Sequence, residues 1–175
     1  MLLTRERIMR KLIAAFCCVS VLAASAMAAN ANLMANPGFE NGNYNSWTWV
    51  FSPNGGRFDA VTGSAFGVDP HEGVRMAGAA ASYDVGKHLS YIRQVVAVPI
   101  GYQVDISGWG YAWNYDGQNR NVIQDTQVRI GLDPTGGLDA TAASVIWAPR
   151  IFATSQWGER TLSGISQASQ VTVFA

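Results

Sequence analysis

The 175-residue chain contains two cysteines and two histidines, and charged residues make up 14% of it. Both cysteines, Cys17 and Cys18, lie near the start, so residues 29–175 hold none. Disulfides and thiol catalysis are thereby excluded from that stretch. Its 147 residues suffice for one domain, stabilised by an ordinary apolar core or by a core plus a metal. The histidines, His71 and His88, are also poor material for catalysis: His71-Glu72 lacks helical zinc spacing and has no third ligand close in sequence. In Gly63-Ser64-Ala65-Phe66-Gly67 the serine is misplaced for a nucleophile elbow. Paired carboxylates for glycoside cleavage stay open, since their separation is a property of the fold. Yet Asp59, Asp69, Asp105 and Asp125 each read as turn or sheet-face residues, and a non-catalytic protein is the expectation. No basic cluster exists either, because Arg57, Arg75, Arg93, Arg120, Arg129, Arg150 and Arg160 stand singly, which argues against a nucleic-acid partner.

The N-terminal segment reads as a secretory signal. Arg5, Arg7, Arg10 and Lys11 precede an uncharged apolar stretch, Leu12 to Ala29, and Ala26-Met27-Ala28 supplies small residues for cleavage after Ala28. Residues 1–28 are therefore expected to be removed, leaving 29–175 as one exported domain: secreted, periplasmic or at the cell surface, with no membrane attachment after cleavage. The alternative is an uncleaved anchor, since the stretch approaches the length of a span. The formal net charge of zero hides an asymmetry: the segment carries four of the twelve basic residues and one of the twelve acidic ones. Eight basic and eleven acidic residues remain, a net of about −3.

No amphipathic helix follows. Apolar residues recur with period two between turn clusters about ten residues apart, which predicts an all-β, two-sheet antiparallel sandwich. The expected strands are 32–35, 48–51, 57–61, 73–77, 90–98, 103–113, 122–132, 144–147, 158–162 and 171–175, with 77–86 a loop. Asn36-Pro37-Gly38, Asp69-Pro70, Pro99-Ile100-Gly101 and Asp133-Pro134-Thr135-Gly136-Gly137 punctuate them.

The most informative pattern is Trp109, Tyr111, Trp113 and Tyr115, spaced by two. In an extended strand these rings share one face. Upstream, Tyr102, Val104 and Ile106 hold the even positions and Gln103, Asp105 and Ser107 the odd ones, so the rings continue the polar side. A row of exposed rings beside polar groups suits flat amphipathic ligands such as sugars. A β-bulge near Gly108 would reverse the parity and send the rings inward. If strand 122–132 neighbours this one in the same sheet, Gln127 and Arg129 stand beside Trp109 and Trp113 as hydrogen-bonding partners.

The opening Asn32-Leu33-Met34-Ala35-Asn36-Pro37-Gly38-Phe39-Glu40, with Trp47 or Trp49 soon after, resembles the galactose-binding-like jelly rolls. It is most similar to the cellulase-associated carbohydrate-binding modules grouped as families four, nine and twenty-two. The likeness continues through 71–77, 94–99, Ser107-Gly108-Trp109, Arg129 to Asp133, Trp157 and 170–174. It implies a jelly roll that binds a poly- or oligosaccharide, with Glu40 contributing to a structural calcium; the alternative for Glu40 is a solvated or turn-capping carboxylate, and the residues themselves make Leu33 the apolar anchor of the first strand. In the family a closing strand with an acidic pair usually follows the position of Val171–Phe174. Here the sequence ends at Ala175, so either the sheet lacks that strand or the chain is a fragment, and an accessory piece of a larger glycoside hydrolase, linked to its enzyme domain, stays open. The rival class is a structural or adhesive surface sandwich without a sugar site, whose aromatics pack the interior or a protein interface.

Overall fold

In the computed structural model, side chains of alternating parity along five paired strands close over a common apolar layer. The structure describes residues 32–50, 57–62, 68–80, 90–112, 127–152 and 156–175. Met34–Ala175 forms one compact unit; of the other, Met1–Leu33, only Asn32 and Leu33 are described, so the expected signal segment lies outside the described residues. No described helix is long and apolar enough to cross a membrane.

The strands in chain order are β1 (Thr48–Val50), β2 (Arg57–Thr62), β3 (Arg75–Ala80), β4 (Tyr91–Ala97), β5 (Gln103–Tyr111), β6 (Gln127–Val128), β7 (Gly131–Asp133), β8 (Ile146–Trp147), β9 (Ile151–Phe152), β10 (Trp157–Ile165) and β11 (Gln170–Phe174). All described pairings are antiparallel. A five-stranded sheet has the order β1-β4-β11-β7-β8, and three two-stranded ribbons pair β10 with β5, β2 with β3, and β6 with β9.

Val96, Val98, Leu132, Val171 and Val173 of the large sheet and its flanks form the main core cluster, and Val104 and Ile106 of β5 with Leu162 of β10 pack onto it. This is a β-sandwich, with the β5–β10 ribbon facing the large sheet. Farther along the ribbon the filling comes from elsewhere. A Cβ on Gly110 would lie 2.8 Å from Ile151 Cδ1 and 3.0 Å from Val128 Cγ1, and one on Gly108 would lie 3.3 Å from Ile130 Cγ2. Glycine at 108 and 110 thus lets the β6–β9 ribbon approach the inner side of β5.

Four expectations change. The run 122–132 is not one strand: within its described part, β6 pairs with β9 while β7 pairs with β11 and β8, and the chain passes between sheets at Arg129-Ile130. Residues 32–35 are not a strand either. The buried Gln94 amide takes the place of a ladder partner: its Oε1 accepts from Ala35 N–H at 2.7 Å and its Nε2 donates to Ala35 C=O at 2.9 Å. Leu33 is exposed, and Met34 rather than Leu33 packs against both core clusters. Phe39 packs against the second cluster of Tyr44, Trp47 and Ile92, and Trp47 Nε1 donates to Asn36 C=O at 3.1 Å. The region expected as a loop from Ala77 begins instead inside β3, which runs to Ala80, and β9 had no counterpart among the expected strands.

Candidate functional site

The site is built on the outer side of the β5–β10 ribbon. From Gln103 to Ala112 exposure alternates without a break: odd residues face out and even ones in. The register with β10 is equally continuous, from Ile165 opposite Gln103 to Trp157 opposite Tyr111. No bulge intervenes at Gly108, so Trp109 and Tyr111 share the outer side with Gln103, Asp105 and Ser107. Directly opposite residues of an antiparallel pair share a face. Trp157, Glu159, Thr161 and Ser163 therefore join them.

Trp109 keeps 45% of its surface exposed, although His71 stacks on one of its faces at 3.8 Å with 14° between ring planes. Only an open second face or edge can account for that exposure. Trp157 meets His71 edge-on at 5.6 Å and Tyr111 at 5.5 Å, and its Nε1 donates to Asp69 C=O at 3.2 Å. The segment 68–72 is thus fastened across the rings, with His71 Nδ1 3.7 Å from Glu72 Oε1. Beyond the rings lies a polar row. Gln103 Nε2 donates to Asp105 Oδ1 at 2.9 Å and the Ser163 hydroxyl donates to the same oxygen. The Ser163 bond, then the Gln103 bond, hold the Asp105 carboxyl below its ordinary range, because both favour the ionised form. The surface therefore offers half-open rings beside a fixed row of hydrogen-bonding groups.

Of the residues singled out in the sequence, Trp109 and Tyr111 come together here, while Trp113 and Tyr115 lie outside the described residues. Gln127 and Arg129 do not join them. Val128 and Ile130 point at the inner side of β5, so Gln127 and Arg129 face the other way, and Arg129 sits 4.0 Å above the Trp147 ring. The condition for that placement, strand 122–132 neighbouring β5 in one sheet, is not met among the described residues, where β5 pairs with β10 and β6 with β9. Two members of the cluster were missed. Trp157 carried a usable signal, since Trp157, Glu159, Thr161 and Ser163 repeat with period two. His71 carried none, because a turn delivers it.

Glu40, the residue that the resemblance links to calcium, caps backbone amides in this structure. Its carboxylate oxygens accept from the N–H groups of Val74 (3.2 Å to each oxygen) and Arg75 (3.2 Å). Calcium needs six or more oxygens. No group of three or more His, Cys, Asp or Glu side chains that could hold a metal occurs among the described residues. Glu40 ties the 73–75 backbone to the opening turn.

No protein-family model matches the chain, and no curated protein matches it. Among solved structures it is similar to TmCBM61, which was solved in complex with β-1,4-galactotriose. The two share 16% identity with a TM-score of 0.53, over 83% of this chain and 87% of the other. The likeness shows a shared β-sandwich fold. At this identity the likeness carries the architecture alone, and the ligand has to be argued from the surface.

Proposed function

We propose that the protein is an exported, non-catalytic carbohydrate-binding module that grips a poly- or oligosaccharide on the outer side of the β5–β10 ribbon. Trp109 supplies the principal stacking face, Tyr111 and Trp157 extend it, and Asp105, Ser107 and Glu159 orient hydroxyl groups. Stacking covers the apolar face of a sugar ring while a few fixed polar groups select its orientation. The observation that supports this reading most is the unbroken alternation of β5, which leaves Trp109 outward and nearly half exposed within a ring cluster. The opening Asn32–Glu40 motif and the galactotriose complex of the structural neighbour agree with it. On the motif we place the chain near families four, nine and twenty-two, and on the leader we place it outside the cytoplasm.

The test is retention on neutral polysaccharide gels, beginning with β-1,4-galactan, for Trp109→Ala and Trp157→Ala beside the unchanged protein. Loss of a central aromatic anchor is expected to weaken binding by at least about tenfold while each variant still unfolds cooperatively. A second reading rests on the His71 stack and the Trp157–Asp69 hydrogen bond: the rings clamp the 68–72 segment in a structural or adhesive module. Retention equal to wild type, or variants that no longer fold, would establish the clamp and refute the sugar site.

A further inference from the structure

The opposite outer surface differs in character. A Cβ on Gly131 would lie 2.7 Å from Trp147 Cε3, so the indole lies directly against the β7 backbone, and the Arg129 guanidinium stands over the ring, 4.0 Å from its centroid. Continuing the β6–β9 register one step beyond Val128 opposite Ile151 sets Arg150 across from Arg129, on the same side of the ribbon. Partial burial, then the charge of Arg150, hold Arg129 below its ordinary range, so the protonated form is destabilised on both counts. Among the described residues neither arginine has an acidic partner within ion-pair distance. Gln127 and Phe152, opposite each other in the β6–β9 ribbon, share this exposed side. The β5–β10 surface, by contrast, presents Asp105 and Glu159, and its one arginine, Arg160, turns inward to bond the Pro149 and Arg150 carbonyls.

We propose that Arg129, Trp147 and Arg150 form a second binding site, which takes the carboxylate of an acidic sugar unit in a polysaccharide; this rests on the carbohydrate-binding reading above. A guanidinium stacked on an indole loses little freedom on binding, and its planar fork matches a carboxylate. An anion between the two arginines relieves their mutual repulsion, which the described protein residues leave uncompensated. Two guanidiniums suit one carboxylate. They fall well short of the several phosphate contacts on which nucleic-acid binding depends. The charge separation of the surfaces sorts the ligands, since Asp105 and Glu159 repel an acidic chain from the ring cluster.

Affinity electrophoresis of the whole protein in gels containing polygalacturonate, β-1,4-galactan or polyglutamate tests this. Polygalacturonate is expected to retard the wild type, and Arg129→Gln and Arg150→Gln each to weaken that retardation about tenfold. Arg129→Lys, which keeps the charge without the fork, should lose most of the effect as well. Trp109→Ala should leave polygalacturonate binding intact. Arg150 is exposed, so its variant reports on binding even if Arg129→Gln unfolds. No retardation by polygalacturonate, unaltered retardation of the Arg150 variant, or equal retardation by polyglutamate would overturn the proposal. Failure on galactan alone would instead count against the ring cluster.

Discussion

Replacing Gly131 with alanine should cost the protein about 2 kcal/mol, for a reason confined to one ring. Gly131 lies in β7 with no positive φ, so alanine brings no backbone strain. The added carbon, however, would stand 2.7 Å from Cε3, 2.8 Å from Cζ3 and 3.1 Å from Cδ2 of Trp147. Carbon atoms prefer roughly 3.5–4.0 Å, so the indole must retreat by close to an ångström. Its movement is restricted by two neighbours, the Arg129 guanidinium 4.0 Å from the ring centroid and the fully buried Phe174, whose ring centroid is 6.0 Å away. Overpacking of this kind costs about 1–3 kcal/mol, and Trp147 is only half-buried, which argues for the middle of the range. In a domain of this size, that lowers Tm by about 4–8 °C. Urea unfolding followed by circular dichroism should show a lower midpoint with an unchanged slope. The decisive control is a double-mutant cycle. In a Trp147→Ala background the same Gly131→Ala change should cost nearly nothing, since the clash is gone. An equal cost in both backgrounds, or no cost in either, would refute the assignment of Trp147 to the surface of β7.

Gln94→Leu should destabilise by about 2–3 kcal/mol, because the Ala35 N–H and C=O would both lose the amide that satisfies them, a loss measurable by thermal melting. The carboxyls of Asp105 and Asp139 are both held below the ordinary range, the first by Ser163 and Gln103, the second by the Thr141 hydroxyl and backbone N–H. Their contribution to stability is therefore complete above the unfolded value of about 4 and is lost as pH falls through the lower folded values. Asp105→Asn with Asp139→Asn should flatten the acid limb of a Tm-against-pH curve and leave the curve near neutrality with its slope unchanged.

The alternation from Gln103 to Tyr111 was legible because a half-buried strand must segregate its sides, and nothing in the structure interrupts it. The turn clusters and the apolar positions of β4 and β11 were legible for the same reason. Strand 122–132 was misread because a chain that crosses between sheets at Arg129-Ile130 keeps its apolar period through the crossing. Periodicity reports burial, not partners. The Asn32–Ala35 segment was misread because Gln94, 59 residues distant from Ala35, provides hydrogen bonds that a neighbouring strand would otherwise supply.

By itself the sequence determined an all-β chain and the absence of cysteine from residues 29–175, and it set Trp109 outward only on condition that no bulge at Gly108 reversed the parity. Tertiary structure alone decided that Trp157 and His71 complete the ring cluster, that Glu40 caps amides, and that Arg129 lies across the sandwich on Trp147. Those facts depend on which strand pairs with which and where a turn delivers its side chain. Both are set by packing between residues far apart in the chain, to which local pattern is blind.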